Sequence, residues 1–134
     1  MYVDTSAYLC ILLGEDGSDR MSAATAGAEL VSSVLLVLEA RRNLVRLARE
    51  GALTPDQYKV CLDRLAADEA SFVLRDLTLD LCVSHAMPPV ITPRSLDLAH
   101  LRTALWFHQI EPITRFLTTD TAQAQAADEL GLPR

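Results

Sequence analysis

Hydrophobic and polar positions follow two rhythms along the chain. Short apolar runs that stop at an acid or a turn residue predict strands, and longer stretches with apolar residues three to four apart predict helices. Met1 to Val3 stops at Asp4, and Ala7 to Leu13 then reads as an apolar helix that Thr5 or Ser6 would cap. Gly14 to Ser18 is a loop, an Ala-rich helix starts at Asp19 or Ser22 and ends at Gly27, and Glu29 to Ser32 is a short strand. Ser32 or Ser33 caps a long helix to Glu50, with Gly51 where a left-handed residue closes a helix. Thr54 and Pro55 open the next helix, to about Ala67, so these two form an antiparallel hairpin. Ser71 to Leu77 is a strand, and Thr78 caps a helix to about Ala86 that Pro88-Pro89 ends. Pro93-Arg94-Ser95 leads into a helix from Leu96 to about Phe107. Ile113 to Thr119 is a strand ending at Asp120, and Thr121 to Glu129 is the last helix, closed by Leu130-Gly131.

Strands alternating with helices predict an α/β fold with a mostly parallel central sheet. No repeat, linker or low-complexity tract divides the chain, so residues 1–134 are expected to form a single domain with a sizeable core. Composition narrows the function. Twelve basic residues against eighteen acidic ones give a net charge of −6, which argues against a passive nucleic-acid binder. It argues less against a metal-dependent nuclease, which needs clustered carboxylates whose field a bound cation reverses. Cys10, Cys61 and Cys82 form no CxxC pair, which points to reduced thiols in a cytoplasmic protein and against a zinc site. The N-terminus lacks the basic leader of a signal peptide, and the apolar run Val34 to Leu38 is far too short to cross a membrane.

Four acids have unusual placement. Asp4 and Asp120 each end an apolar strand at a strand-to-helix corner, where ligands bind in open α/β sheets; a helix N-cap is the alternative for each. Asp97 lies in the first turn of its helix, where an acid also complements the helix dipole. Glu39 follows the run Val34 to Leu38, so partial burial is expected; a surface pairing with Arg42 or Asn43 is its alternative. Four carboxylates from four distant segments fit a site for Mg²⁺ or Mn²⁺, which prefer oxygen ligands. Such an ion makes water a usable nucleophile and neutralises charge on a phosphodiester.

In order along the chain, these segments resemble the motifs of a family. Val3-Asp4-Thr5-Ser6-Ala7 is similar to the first motif of PIN domains, and Ser33 to Glu39 to the second. Leu96-Asp97-Leu98-Ala99-His100-Leu101-Arg102-Thr103-Ala104 resembles the third, an Asp followed by a His-Leu-x-x-Ala helix. Leu117-Thr118-Thr119-Asp120 with Ala126-Ala127 and Leu130-Gly131-Leu132 resembles the fourth. More specifically, the chain looks like the VapC toxins of bacterial VapBC toxin–antitoxin systems. The resemblance implies a three-layer α/β/α PIN-like fold and a metal-dependent endoribonuclease. Asp4, Glu39, Asp97 and Asp120 would be the acidic cluster holding Mg²⁺ or Mn²⁺, with Ser6 and Thr118 as hydroxyls that orient carboxylates. It also implies RNA as substrate, cleaved hydrolytically to leave 3′-hydroxyl and 5′-phosphate ends. A VapB-type antitoxin would wrap the chain and carry the DNA-binding module that this chain does not show, and a homodimer is expected. After Gly131-Leu132 only Pro133-Arg134 remain, where the family has a last short strand.

The remaining candidates read as structural. His100 could serve as a base, but packing is the expected role, as it is for His85 and His108. Trp106 and Phe107 are expected in the core or a dimer interface. Arg42, Arg46 and Arg49 share a helix face with Glu39 and either form a solvated face or guide an RNA backbone. Leu9, Leu12 and Leu13 pack in the core or line an antitoxin groove. Two rival functions stay open: a catalytically inactive PIN-like interaction module, and a small phosphatase-like hydrolase using Asp4 as nucleophile, which the Ser at position 6 disfavours.

Overall fold

The short apolar runs become strands of two or three residues, and the amphipathic stretches between them become helices. In the computed structural model, which describes residues 1–84, 87–91 and 94–134, β1 is Tyr2–Val3, α1 Thr5–Leu13, α2 Ser18–Thr25 and β2 Val31–Ser33. They are followed by α3 Leu35–Arg49, α4 Pro55–Ser71, β3 Val73–Arg75 and α5 Leu79–Val83. The chain ends with α6 Ser95–Ile110, β4 Phe116–Leu117 and α7 Thr121–Glu129. The four strands form one parallel sheet in the order β3-β2-β1-β4.

Two-residue alternation sends neighbouring side chains to opposite faces of this sheet. On one face Tyr2, Val31 and Phe116 pack with Leu101 and Ala104 of α6 and Ala126 and Ala127 of α7. The Tyr2 and Phe116 rings stack with centroids 5.2 Å apart. On the other face Val3 and Leu117 pack with Ala7 and Tyr8 of α1, Leu36, Ala40 and Leu44 of α3 and Leu65 of α4. The result is the expected three-layer α/β/α arrangement around a parallel sheet. After β1 the chain steps outward through β2 to β3, then crosses back to place β4 on the other side of β1. The order therefore switches direction between β1 and β4, and the crevice beyond their carboxyl ends is where open sheets of this kind bind ligands.

Local signals explain most boundaries. Thr54 and Gln57 form a reciprocal capping box at the start of α4, with Pro55 in its first turn. Gly51 closes the preceding turn at φ 76°, a conformation that costs glycine nothing. α4 runs four residues past the expected end at Ala67, because Glu69 and Ala70 favour helix and Asp68 pairs with Arg64 one turn back at 2.9 Å. The paired strands are shorter than the apolar runs predict: of Ile113 to Thr119 only Phe116–Leu117 pair with β1. The expected helix end at Ala86, the lead-in at Pro93 and His85 lie outside the described residues. Beyond α7, the Pro133 carbonyl accepts a hydrogen bond from the Phe116 N–H, so the tail returns beside β4 where a last strand would lie. Among the described residues no helix is long and apolar enough to cross a membrane.

Candidate active site

Asp4 immediately follows β1, and its backbone N–H donates to the Leu117 carbonyl of β4, which fixes it at the switch point. The expected cap of α1 is corrected here: Asp4 itself caps the helix, rather than Thr5 or Ser6. Its Oδ1 accepts from the Ala7 N–H at 2.9 Å and from the Ser6 hydroxyl at 2.8 Å. Capping and a functional role are compatible, since a carboxylate at a helix N-terminus also meets the positive end of the dipole. Asp4 is 4% exposed. Burial pushes its carboxyl pKa up, and the Ala7 amide, the Thr118 and Ser6 hydroxyls and the nearby His100 offset this only in part. Among the described residues no Arg or Lys is ion-paired with it.

Hydroxyls tie Asp4 to the end of β4. Ser6 Oγ, having given its proton to Asp4, accepts from the Thr119 N–H at 2.9 Å and lies 3.1 Å from Thr118 Oγ1. Thr118 Oγ1 accepts from the Asp120 N–H at 3.0 Å. Ser6 and Thr118 thus occupy the orienting positions that the sequence suggests. Asp120 turns its Oδ1 to the start of α7, accepting from the Ala122 and Gln123 amides at 2.8 and 3.1 Å. It is an N-cap, the alternative that its position at a strand-to-helix corner allows.

Glu39 reaches the same end of the sheet from α3. Its side chain is 22% exposed, the partial burial expected of a carboxylate next to Val34–Leu38. Oε1 accepts from the Thr5 hydroxyl at 2.8 Å and from His100 Nε2 at 2.9 Å. Burial raises this carboxyl, but the His100 and Thr5 hydrogen bonds and the His100 and Arg42 charges outweigh it and hold the group below the usual range. Both bonds fall on Oε1.

His100 is 3% exposed and packs edge-on against Tyr2, as its expected structural role requires. It does more than pack. The Tyr2 hydroxyl lies 2.7 Å from Nδ1, and burial, followed by the Asp4 charge, pushes the Tyr2 pKa well up, so the phenol stays protonated. Nε2 faces the Glu39 carboxylate, which only accepts, so it is the N–H side there, with Thr5 Oγ1 at 3.1 Å from it. Tyr2 and Thr5 are members of this network that the motif reading passes over. The available signal is a phenol on an inward-facing strand position, which needs a buried partner.

Asp97 sits in the first turn of α6, and its backbone carbonyl accepts from Gln123 Nε2 at 3.1 Å, joining α6 to α7. Among the described residues, no three His, Cys, Asp or Glu side chains are grouped to hold a metal ion. Asp4 and Glu39 reach one end of the sheet, while Asp97 lies in the first turn of α6 and Asp120 caps α7, and the four form no closed cage. The donor chemistry still fits a hard divalent cation. Asp4 is a buried carboxylate that no Arg or Lys pairs among the described residues, Glu39 has its bonds on one oxygen, and the hydroxyls of Ser6 and Thr5 bond to Asp4 and Glu39 respectively. Mg²⁺ keeps several waters and needs only one or two carboxylates. Cys10 lies elsewhere, bonded to the Asp16 carbonyl, so no thiolate competes.

Two of the four α3 arginines are ion-paired among the described residues. Arg46 pairs with Glu50 at 3.1 Å and Arg41 with Glu69 at 3.0 Å. Trp106 packs against Phe107 and under the Arg75 guanidinium, 4.7 Å from the ring centroid. No protein-family model and no curated protein matches the chain.

Proposed function

We propose that the chain is a metal-dependent endoribonuclease of the VapC toxin type, hydrolysing RNA phosphodiester bonds at the carboxyl ends of β1 and β4. The observation that carries this reading is Asp4: a buried carboxylate at the topological switch point, with its pKa raised and only hydroxyl and amide donors around it. Asp4 and Glu39 would hold a divalent ion, Mg²⁺ or Mn²⁺, which supplies charge neutralisation on the phosphodiester and an acidified water. The remaining work falls to the chain itself. Ser6 and Thr118 fix the Asp4 carboxylate, while Thr5 and His100 fix Glu39, with the Tyr2 hydroxyl holding the ring at Nδ1. Asp97 and Asp120 supply negative field at the rim. A VapB-type antitoxin and a second copy of the chain are the proposed partners, and the cytoplasm the proposed location.

The absence of a closed carboxylate group favours one second reading, a non-catalytic interaction module of the same fold. Cleavage of RNA by the purified chain in Mg²⁺ or Mn²⁺ against EDTA separates the two. The nuclease reading expects metal-dependent cutting that Asp4→Asn abolishes. Cutting that survives both EDTA and Asp4→Asn overturns it, and a folded chain that neither binds metal nor cuts supports the module.

A further inference from the structure

The net charge of −6 makes any local excess of positive charge informative. One groove, of about 330 Å³, lies between α2, the edge strand β4 and α7, and is lined by Arg20, Arg115 and Arg134 with Phe116, Thr118 and Ala124 among its walls. Among the described residues no Asp or Glu side chain lines it. Arg134 pairs with Asp128 at 2.6 Å, but among the described residues neither Arg20 nor Arg115 is ion-paired, and both are exposed. Thr118 belongs to this groove and to the Asp4 network at once, through Ser6. On α3, Arg41 and Arg46 already have acidic partners, and Arg42 lends its charge to Glu39, which leaves Arg49 as the α3 alternative.

The geometry points to this groove as the track for the phosphodiester backbone of single-stranded RNA, held by Arg20 and Arg115 and led past Thr118 to Asp4. The inference rests on the nuclease reading and names where its substrate lies. Guanidinium forks match phosphate geometry, and two that carry no acid partner offer their charge to a ligand without first breaking an internal pair. The Thr118 hydroxyl at the inner end makes the groove continuous with the candidate site.

The test uses the non-cleaving Asp4→Asn chain and a fluorescent single-stranded RNA, with anisotropy read against salt concentration. Each phosphate contact contributes about 0.7 to the log–log salt slope for single strands, so losing two lowers the slope by about 1.4 and weakens binding about 25-fold at 0.1 M salt. Adding Arg20→Ala with Arg115→Ala is expected to do this, whereas Arg20→Lys with Arg115→Lys keeps most of the slope, and Arg41→Ala with Arg46→Ala leaves it unchanged. In the Asp4-containing chain the groove double variant is expected to raise KM for RNA while hydrolysis of bis(4-nitrophenyl) phosphate, too small to reach the groove, stays at the wild-type rate. An unchanged salt slope in the groove double variant, with small-phosphodiester hydrolysis intact, overturns the groove and leaves the nuclease reading standing. Absence of metal-dependent hydrolysis of both RNA and the small phosphodiester in the unmutated chain overturns that reading first, and a groove double variant that loses small-phosphodiester hydrolysis overturns the groove as a mere track. Binding of a poly-glutamate peptide that needs Arg20 and Arg115, without RNA binding, reassigns the groove to an acidic protein segment and overturns the RNA track.

Discussion

Asp4 and Glu39 reach the same end of the sheet and live in opposite surroundings. Glu39 has a countergroup: His100 and Thr5 meet one of its oxygens, and its carboxyl is held below the ordinary range. Asp4 is more deeply buried and has only neutral donors, and its carboxyl is pushed up. The difference shows which carboxylate lacks a hydrogen-bonded imidazole. The fold keeps Glu39 in place by itself, whereas Asp4 is left with a deficit that a cation would fill. Burying a charge without a partner is costly, and such deficits gather at functional sites.

The largest effect should come from removing the deficit itself. Asp4→Asn keeps the α1 cap and removes the charge, and RNA cleavage should fall about 10³-fold or more, the equivalent of several kcal/mol of lost transition-state stabilisation. A single-turnover assay checks it. Next, His100→Phe keeps an aromatic ring against Tyr2 and removes the bond to Glu39. Second-sphere losses of this type cost about 10- to 100-fold in metal affinity or activity. Mn²⁺ titration should show that loss, and His100→Gln, which retains an N–H donor, should recover part of it. Equal affinity in His100→Phe and wild type would reduce His100 to packing. Ser6→Ala should cost less, since the Ala7 amide still holds Asp4 Oδ1.

The stability of the metal-free chain sharpens the comparison further. Because the folded-state pKa of Asp4 is raised, its contribution is favourable in acid and is lost as pH rises from the ordinary carboxylate range through the raised value. Asp4→Asn should therefore melt no lower than wild type at pH 7 without metal, and any advantage should vanish in acid. For Glu39 the sign reverses: its lowered pKa gives stability that is complete above the ordinary glutamate range and is lost as pH falls through the lowered value. Glu39→Gln should melt lower than wild type at pH 7 and converge with it in acid. Smallest of all, Thr54→Ala removes the α4 capping box and should cost about 1 kcal/mol of stability in denaturant titration, with cleavage untouched.

The parts of the molecule legible in the sequence were those governed by local rules. Gly51, the Thr54-Pro55 opening, the strand ending at Asp4 and the helix from Thr121 to Glu129 each carry their own signal, and each lies where that signal puts it. The partial burial of Glu39 followed from the apolar run before it. What local rules could not supply was partnership across the fold. The Tyr2–His100 bond spans 98 residues and the Ser6–Thr118 contact 112, and nothing in the spacing of those residues announces them. The same limit applied to Asp120: its place at a strand-to-helix corner allows a cap, and only the Ala122 and Gln123 amides show that it makes one. The groove at β4 draws Arg20 from α2 and Arg115 from the approach to β4, and a search for basic runs finds the α3 arginines instead.

The most direct test of the Asp4 deficit is a thermal melt of wild type and Asp4→Asn at pH 7, with and without Mn²⁺. A ligand that binds only the folded chain stabilises it by about 2.7 kcal/mol at a hundred times its Kd. The account predicts that Asp4→Asn melts at or above wild type in EDTA, and that added Mn²⁺ raises wild type past it while leaving the variant unmoved. A wild-type chain that Mn²⁺ does not shift, or a variant that shifts equally, would contradict it.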